Sequence, residues 1–238
     1  ADYFDIFNMH SYQGLFEVDE LLHAVHSRKP DAPFWQTEQM WHTVANQNNR
    51  LFMTPAIYLW FLDKGYAKYF QFGTSDILFT KETVSPTVDH YVIAVFENQV
   101  RACEKYLGLC KFEGDGAFSV RHQLSRADGK VLTILGAEKF SYRIESSTPI
   151  ERVVDIMGNP IPVEKNDNGA SSFKNSAIAY VISRTPLAIT QVTQTQAAPL
   201  MVNGGFEEVQ GDITMGGLES GKPMTWTFRD TTYDPQGK

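Results

Sequence analysis

The sequence predicts an α/β region followed by an all-β region, with the change near residues 108–112. Before that point, strand-like apolar runs alternate three times with apolar residues at helical spacing. Beyond it, short strand-like runs recur at regular intervals with turn residues between them. The first pattern indicates parallel strands joined by crossover helices, and the second indicates an antiparallel β-sandwich.

The first two strand-helix units are marked by residue spacing. Residues 3–9 form an apolar and aromatic run typical of a buried strand, and residues 15–25 carry apolar side chains at helical spacing. A second strand is predicted over residues 33–37 and a second helix over residues 51–62. We expect Pro55 near the first turn of that helix and a glycine, Gly65, at its C-terminal end.

The third unit has the clearest helix signals. A strand is predicted over residues 66–72, and the following helix begins with Ser85 as its cap and Pro86 in its first position. Gly108 is expected to end it. The apolar face of this predicted helix runs through Val88, Val92, Val95, Gln99, Val100, Cys103 and Leu107.

The second region is divided by turn signals. Turns are predicted at residues 127–129 and 158–160, where aspartate, asparagine, glycine and proline cluster. A last strand is expected from Thr190 into a Thr-, Gln- and Ala-rich linker. Between the turns, the predicted strands cover residues 118–121, 131–135, 140–144, 150–155 and 177–182.

Composition limits the class of protein. The chain has 238 residues, of which 42% are hydrophobic and 21% charged, as in ordinary globular chains and unlike disordered ones. It carries 21 basic and 28 acidic residues, a net charge of −7, which disfavours nucleic acid as a partner. The longest apolar run, residues 56–62, is too short to cross a bilayer, so no membrane partner is expected. Cys103 and Cys110 leave the compartment open, and free thiols are favoured over a pair.

Polar residues follow the first two predicted strands. Asn8, His10 and Tyr12 share one face of the first strand, and Gln36 and Glu38 share one face of the second. Ligands bind at the carboxyl ends of strands in parallel α/β sheets. The sequence therefore predicts a ligand site where these two strands end.

Glu38 is the candidate for chemistry at this site. A carboxylate at a strand end beside the Tyr12 hydroxyl stays ionised in one orientation, which suits a nucleophile or a stabiliser of a cationic centre. Trp41 offers a flat apolar face to a sugar ring. A solvated or salt-bridged Glu38 and a structural His10 are the open alternatives.

Metal and cofactor signals are weak. His23 and His26 stand three residues apart on a predicted helix, but no third ligand follows at a fixed offset. We therefore read them as part of a solvated helix face. No phosphate-binding glycine loop, nucleophile elbow or zinc spacing is present, so neither a metal nor a cofactor is expected.

The order of these motifs resembles part of a known enzyme clan. Residues 2–12 are similar to the sixth strand of retaining glycoside hydrolases of the large (β/α)8-barrel clan, which often ends in His-x-Tyr. Thr37-Glu38 is similar to the end of the seventh strand, where the glutamate is the nucleophile. Residues 66–73 and 86–107 resemble the eighth strand and helix. The region that follows resembles the clan's β-domain, with its Asp-x-x-Gly-Asn turn at residues 155–159.

The resemblance implies a domain organisation and roles for the site residues. Residues 1–107 would be a partial (β/α)8 barrel with strands six to eight, and residues 108–195 a β-sandwich. Residues 196–238 would be a linker and the start of a carbohydrate-binding module. Glu38 would attack the anomeric carbon. The residues implied in substrate binding or in tuning Glu38 are His10, Tyr12, Gln36, Gln39 and Trp41.

One part of the implied mechanism is missing. The clan's acid/base glutamate usually follows an asparagine at the end of strand four, and no Asn-Glu dipeptide occurs in the sequence. Asp5 lies on the opposite strand face from His10 and is a poor substitute. The chain begins directly with strand-like residues and its last residues resemble the start of a further module, so we expect both ends to be truncated. We therefore expect a glycosidase fragment that is inactive unless a missing N-terminal barrel half or another chain completes it.

Two other classes of function stay open. The chain could be a non-catalytic carbohydrate-binding or scaffold protein, with the sandwich and residues 200–238 as the working part. It could also be an α/β interaction domain whose aromatic surface binds a protein. The glycosidase reading implies a polysaccharide or oligosaccharide substrate and an extracellular or periplasmic location.

Overall fold

The computed structural model describes residues 6–10, 16–39, 47–71, 86–137, 140–165 and 169–195. Inside these ranges, the backbone alone is described at residues 9–10, 16–19, 38–39, 47–50 and 69–71. The described residues form three α-helices, a short 3-10 helix and thirteen strands in three sheets. One sheet is parallel and precedes two antiparallel sheets, which confirms the predicted change from α/β to β-rich structure.

The parallel sheet has the strand order β1-β2-β3, and both neighbouring pairs are parallel. Its elements in chain order are β1 (Phe7–His10), α1 (Phe16–His26), β2 (Phe34–Gln39), α2 (Gln47–Asp63) and β3 (Lys68–Gln71). The alternation of strand and helix therefore agrees with the prediction. One face of this sheet packs on the helices through Phe34, Ile57, Phe61 and Tyr66, with Phe7, Leu22 and Val25 at the margin.

The end of α2 has the predicted glycine. Gly65 adopts a left-handed φ of 81°, which glycine tolerates without steric cost. Its N–H bonds to the Leu62 carbonyl at 3.1 Å, and the Tyr66 N–H bonds to the Phe61 carbonyl at 3.0 Å. These two bonds form a Schellman motif that turns the chain into β3. Pro55 differs from the prediction, because it lies inside α2 rather than near its first turn.

The third helix is shorter than predicted. It spans α3 (Val88–Val100) with Thr87 rather than Ser85 as its cap, and the chain then forms β4 (Cys103–Leu109). The predicted helical extension to Leu107 is therefore wrong. Spacing alone is ambiguous for such a short apolar stretch, and antiparallel pairing of β4 with the next strand decides the outcome. Gly108 lies inside this strand with a φ of 105° instead of ending a helix.

The remaining strands form two antiparallel sheets, with orders β4-β5-β6-β12-β8-β9 and β10-β11-β7-β13. Residues from both sheets meet in one apolar core, which includes Leu135 and Val181 from the first sheet and Tyr142 and Phe173 from the second. This is the two-layer arrangement that the sequence predicted. The strands are β5 (Val120–Arg126), β6 (Val131–Gly136), β7 (Ser141–Ser146), β8 (Ile150–Asp155), β9 (Pro160–Ile161), β10 (Glu164–Lys165), β11 (Ser171–Asn175), β12 (Ile178–Ser183) and β13 (Ile189–Thr195).

The six-stranded sheet is buried on both faces in its centre. Every residue of β6 and β12 is buried, which explains why both strands read as continuous apolar runs. Ala179 and Val181 face the four-stranded sheet, whereas Tyr180 and Ile182 face α2 and α3. The helices therefore belong to a second core on the outer face of the sandwich. Its helical members are Leu51, Phe52, Leu59, Val88, Val92 and Phe96.

The turn after β8 has the predicted form. The Asp155 carboxylate accepts hydrogen bonds from the backbone N–H groups of Met157 and Asn159, each at 2.8 Å, and from the Asn159 side chain at 3.0 Å. Gly158 supplies the left-handed residue with a φ of 84°. These three bonds to one carboxylate, with two backbone bonds of Asp155 to Asn159 and Gly158, fix the turn that joins β8 to β9.

Both cysteines are free thiols. Cys103 lies on β4 rather than on a helix, and its thiol contacts the Gln99 carbonyl at 3.7 Å. Burial raises the pKa of the Cys110 thiol to about 11, which keeps it protonated and unreactive near neutral pH. Among the described residues, none of the helices has the length and apolar character needed to span a bilayer.

Candidate active site

The carboxyl ends of β1 and β2 lie side by side, as the sequence predicted for neighbouring parallel strands. His10 and Glu38 are register partners across this pair. Adjacent strands run about 4.8 Å apart, so the two backbone positions are direct neighbours. The last register pair between β2 and β3 is Gln39 with Gln71. The strands that precede the predicted polar residues therefore end at the same edge of the sheet.

A β-bulge interrupts the end of β2. The register passes from Met9–Gln36 to His10–Glu38, so Thr37 has no partner on β1. Such a bulge breaks the two-residue alternation of side chains along a strand. The predicted shared face of Gln36 and Glu38 assumed regular alternation, and it stays a prediction because the structure gives only the backbone of Glu38. Bulges of this kind commonly re-aim a side chain next to an active site.

Thr37 instead ties the two strand ends together through its side chain. Its hydroxyl donates a hydrogen bond to the Asn8 side-chain oxygen. Asn8 is exposed and Thr37 is half-buried, so the bond sits on the face of the sheet away from the helices. Sequence reasoning did not find this contact. The pairing follows from the register of β1 on β2, which no local pattern reveals.

Trp35 lies on the same open face as this bond. The ammonium group of Lys68 stands 4.5 Å from the centre of its ring, in a cation–π contact. Trp35 is half-buried and Lys68 is exposed. The open face thus presents polar, charged and aromatic groups, whereas the face toward the helices is apolar.

The helix-facing side of the sheet is a layer of packed aromatic rings. Phe34 is fully buried, and its ring centroid lies 4.9 Å from those of Phe7 and His26 and 5.6 Å from that of Tyr66. Gln36, two residues further along β2, is also fully buried. Its burial argues against the predicted contact with a sugar, because a soluble ligand cannot reach a side chain without exposed surface.

The two histidines on α1 lie in different environments. His26 packs against the Phe34 ring, and its Nε2 lies 3.3 Å from the Ala32 carbonyl. His23, on the same helix, is exposed. Among the residues that the structure describes, no group of three or more metal-ligating side chains occurs. The role of His26 is therefore structural, in place of the predicted solvated face.

The other predicted site residues are described only in part or not at all. Tyr12 and Trp41 lie outside the described residues. For His10, Glu38 and Gln39 the structure gives the backbone alone. The structure thus brings the positions of His10 and Glu38 together, and their proposed roles stay predictions.

A second polar cluster joins α2 to the sandwich. The Tyr106 hydroxyl on β4 donates to the Asp63 carboxylate at 2.7 Å and lies 3.0 Å from His122 Nδ1 on β5. Since the one hydroxyl proton goes to Asp63, the imidazole proton must reside on Nδ1 and be donated to Tyr106. Burial lowers the pKa of His122 to about 4, with nearby Arg121 acting in the same direction and Asp63 opposing it. Burial and Asp63 raise the pKa of Tyr106.

This cluster fixes the end of α2 and is separate from the edge of the parallel sheet that holds His10 and Glu38. The three residues are 16 and 43 positions apart along the chain, so sequence spacing gives no sign of it.

Comparison with known proteins supports the fold. No family model matches the sequence, and no curated protein matches it either. Among solved structures, the chain is similar to a GH30 endoxylanase from Clostridium papyrosolvens C71, with a TM-score of 0.55 and 15% sequence identity. The match covers 77% of this chain and 50% of that chain, so this chain spans about half the length of the endoxylanase. The fold described here is therefore similar to part of a glycoside hydrolase structure.

Proposed function

We propose that this chain is the C-terminal part of a retaining glycoside hydrolase, with β1, β2 and β3 as the last three strands of a (β/α)8 barrel. The main support is the parallel sheet, whose polar strand ends place His10 beside Glu38 and which precedes a β-sandwich. The fold similarity to half of an endoxylanase agrees with this order of parts.

In this proposal Glu38 is the nucleophile. A glutamate at the carboxyl end of a barrel strand can attack the anomeric carbon and form a covalent glycosyl-enzyme intermediate. The bulge at Thr37 and its bond to Asn8 fix the backbone next to the carboxylate. Holding a nucleophile in one orientation lowers the entropic part of the barrier.

Neighbouring residues would bind substrate and tune this carboxylate. His10, the register partner of Glu38, would contact substrate or orient a neighbour. Tyr12 would hydrogen-bond the nucleophile, Gln39 would bind sugar hydroxyls, and Trp41 would stack on a sugar ring. Gln36 is assigned a supporting role beneath the site because it is fully buried.

The open face of the parallel sheet would be covered by the rest of the barrel. That face carries the Thr37–Asn8 bond and the Trp35–Lys68 contact. In a closed barrel it would line the packed interior below the site at the carboxyl ends of the strands. A retaining mechanism also needs a second carboxyl group about 5–5.5 Å from the nucleophile. In our proposal, both the cover and the acid/base residue come from a complementary barrel half. A polysaccharide substrate would place the assembled enzyme outside the cell.

The nucleophile can be tested without the acid/base residue. Dinitrophenyl 2-deoxy-2-fluoroglycosides carry a leaving group that departs without protonation, and the fluorine slows hydrolysis of the covalent intermediate. We expect intact mass spectrometry of the full chain, incubated with a panel of these reagents, to show one glycosyl adduct. Peptide mapping should place it on Glu38.

Two variants control this experiment. Glu38→Gln should abolish the adduct, whereas Asp31→Asn, which removes an exposed carboxylate at the turn before β2, should leave it unchanged. A folded chain that takes up no label from any reagent would contradict a preformed nucleophile. Glycan retention that Glu38→Gln does not alter would instead favour a non-catalytic carbohydrate-binding function.

A further inference from the structure

The pairing of β2 with its neighbouring strands is interrupted at residues 37–38. On the β1 side the register skips Thr37, and on the β3 side it skips both Thr37 and Glu38. Thr37 therefore has no register partner on either of the described strands beside it, and Glu38 has one, His10. Residues 35–36 have partners on both sides. Since such gaps disrupt the ladder locally, it constrains the backbone less at residues 37–38 than just before them.

A side-chain hydrogen bond spans this gap on the β1 side. The Thr37 hydroxyl donates to Oδ1 of Asn8, which lies two residues before His10 on β1. Threonine is β-branched, so its χ1 has few low-energy values, and a bond to its hydroxyl also fixes the direction of its Cα–Cβ bond. The contact therefore ties the segment that carries Glu38 to the strand that carries its register partner.

We propose, on the basis of the function proposed above, that Asn8 is a positioning residue for the nucleophile. Through Thr37, Asn8 holds the end of β2 in the orientation from which Glu38 attacks. Groups held for reaction are sensitive to small displacements, and a misplacement of about 1 Å can cost about a hundredfold in rate. A cross-strand bond at the residue before the nucleophile can thus control the rate without contacting the substrate.

The bond can be removed with little change to the fold. Valine has nearly the shape of threonine without the hydroxyl, so Thr37→Val deletes the donor and leaves Asn8 intact. Asn8 is exposed, so its Oδ1 atom can bind water when the donor is lost, and the cost to the fold should be small. Thr37→Ser keeps the hydroxyl and is the conservative variant. Lys68→Met removes a polar group from the same face of the sheet without touching this bond, and it is the matched control.

The first measurement is the rate of labelling of the full chain by a dinitrophenyl 2-deoxy-2-fluoroglycoside. Time courses at several reagent concentrations, read by intact mass, give a rate constant at saturation and a half-saturating concentration. We expect Thr37→Val and Asn8→Ala to lower the rate constant about tenfold or more, with little change in the half-saturating concentration. Thr37→Ser and Lys68→Met should stay close to the wild-type rate constant. Thermal melting of each variant checks that the fold is retained.

The second measurement does not depend on the chemistry. The ¹⁵N relaxation of the Glu38 amide reports how well the end of β2 is ordered on the ps–ns timescale. Thr37→Val and Asn8→Ala should lower the order parameter of this amide. Thr37→Ser and Lys68→Met should leave it at the wild-type value.

Together the measurements distinguish failure of this proposal from failure of the proposed function. A label on Glu38 whose rate constant is the same in Thr37→Val would overturn the positioning role and leave the nucleophile in place. An Asn8→Ala effect confined to the half-saturating concentration would also overturn it, because Asn8 would then bind the sugar directly. A wild-type chain that takes no label would contradict the proposed function. An unchanged Glu38 order parameter in Thr37→Val would then overturn the positioning role as well, whereas a lowered one would support the bond as what orders the strand end.

Discussion

The parallel sheet and the six-stranded sheet of the sandwich differ in how they are covered. The six-stranded sheet has apolar cover on both faces at its centre, from the four-stranded sheet and from α2 and α3. The described residues cover the parallel sheet on one face, and Asn8 and Lys68 on its other face are exposed. Within the part of the chain that the structure describes, the sandwich therefore has a core covered on both sides, whereas the parallel sheet has apolar cover on one side.

The largest expected effect separates the stabilities of these two regions. Phe173 is buried in the sandwich core and Phe34 is buried beneath the parallel sheet. Phe173→Ala should lower the free energy of unfolding by about 3–5 kcal/mol, because it leaves a cavity between two well-packed layers. Phe34→Ala should loosen β1, β2 and β3 while the sandwich stays folded. Hydrogen exchange of each variant, resolved by segment, measures the difference.

The control for this comparison is how the hydrogen exchange of each variant is distributed along the chain. If Phe34→Ala and Phe173→Ala accelerate exchange uniformly across both regions, the chain unfolds as one cooperative unit. That outcome would contradict our expectation that the parallel sheet and the sandwich unfold separately. It would mean that α2 and α3 couple the unfolding of the two regions.

The second effect is a pH dependence of the junction between α2 and the sandwich. His122 has a pKa of about 4 in the folded chain because burial disfavours its charged form, against about 6.5 in the unfolded chain. The unfolded state therefore binds more protons between these values, and stability falls as the pH drops from about 6.5 to 4. At about 1.4 kcal/mol per pKa unit, the loss approaches 3 kcal/mol.

Denaturant titrations between pH 4 and 7 test this prediction. His122→Asn places an amide N–H near the position of Nδ1 and cannot titrate, so its stability should change much less over this range. Carboxylates such as Glu151, whose pKa Lys130 lowers by hydrogen bonding, affect the same curve mainly below pH 4.5. An equal pH slope in both proteins would exclude His122 as its source.

The sequence predicted which helices and strands form in both regions more accurately than it predicted where each one ends. Alternating strands and helices, the glycine at residue 65 and the turn at Asp155 all follow from local chemistry, and the structure has them. The predicted end of α3 was wrong because the spacing of Cys103 and Leu107 fits a helix as well as a strand. Pairing with β5 decides between the two, and that information lies in another part of the chain.

The candidate site was predictable in position but not in detail. Polar residues after two strands are enough to place His10 beside Glu38, because parallel strands end at the same edge. The bulge at Thr37 and its bond to Asn8 depend on the register between strands, which local patterns do not reveal. Burial of Gln36 is equally non-local, since it follows from packing against the helices.

A smaller effect tests how closely α2 approaches the sandwich. A Cβ atom at Gly136 would lie 2.9 Å from Cε2 of Phe52 and 3.0 Å from Cγ1 of Ile178, which is closer than real Cβ atoms normally approach a neighbour. Gly136→Ala should therefore lower the free energy of unfolding by about 1–3 kcal/mol through overpacking. Gly116→Ala, where no atom lies within 4 Å, should change it little. Equal melting temperatures of the two variants would mean that the helix shifts freely.

The smallest effect compares two buried tyrosines within the sandwich. The Tyr142 hydroxyl lies 3.1 Å from the Ala177 carbonyl and accepts a hydrogen bond from the Asn175 amide at 3.2 Å, whereas the Tyr180 hydroxyl is buried with no hydrogen-bond partner among the described residues. Tyr142→Phe should cost about 1–2 kcal/mol, because it removes satisfied bonds and leaves their partners unpaired. Tyr180→Phe should be neutral or stabilising in the same denaturant titration, since it removes a polar group that burial penalises. A cost for Tyr180→Phe equal to that for Tyr142→Phe would show that a bound water satisfies the Tyr180 hydroxyl, and the outer core would then be as fully hydrogen-bonded as the inner one.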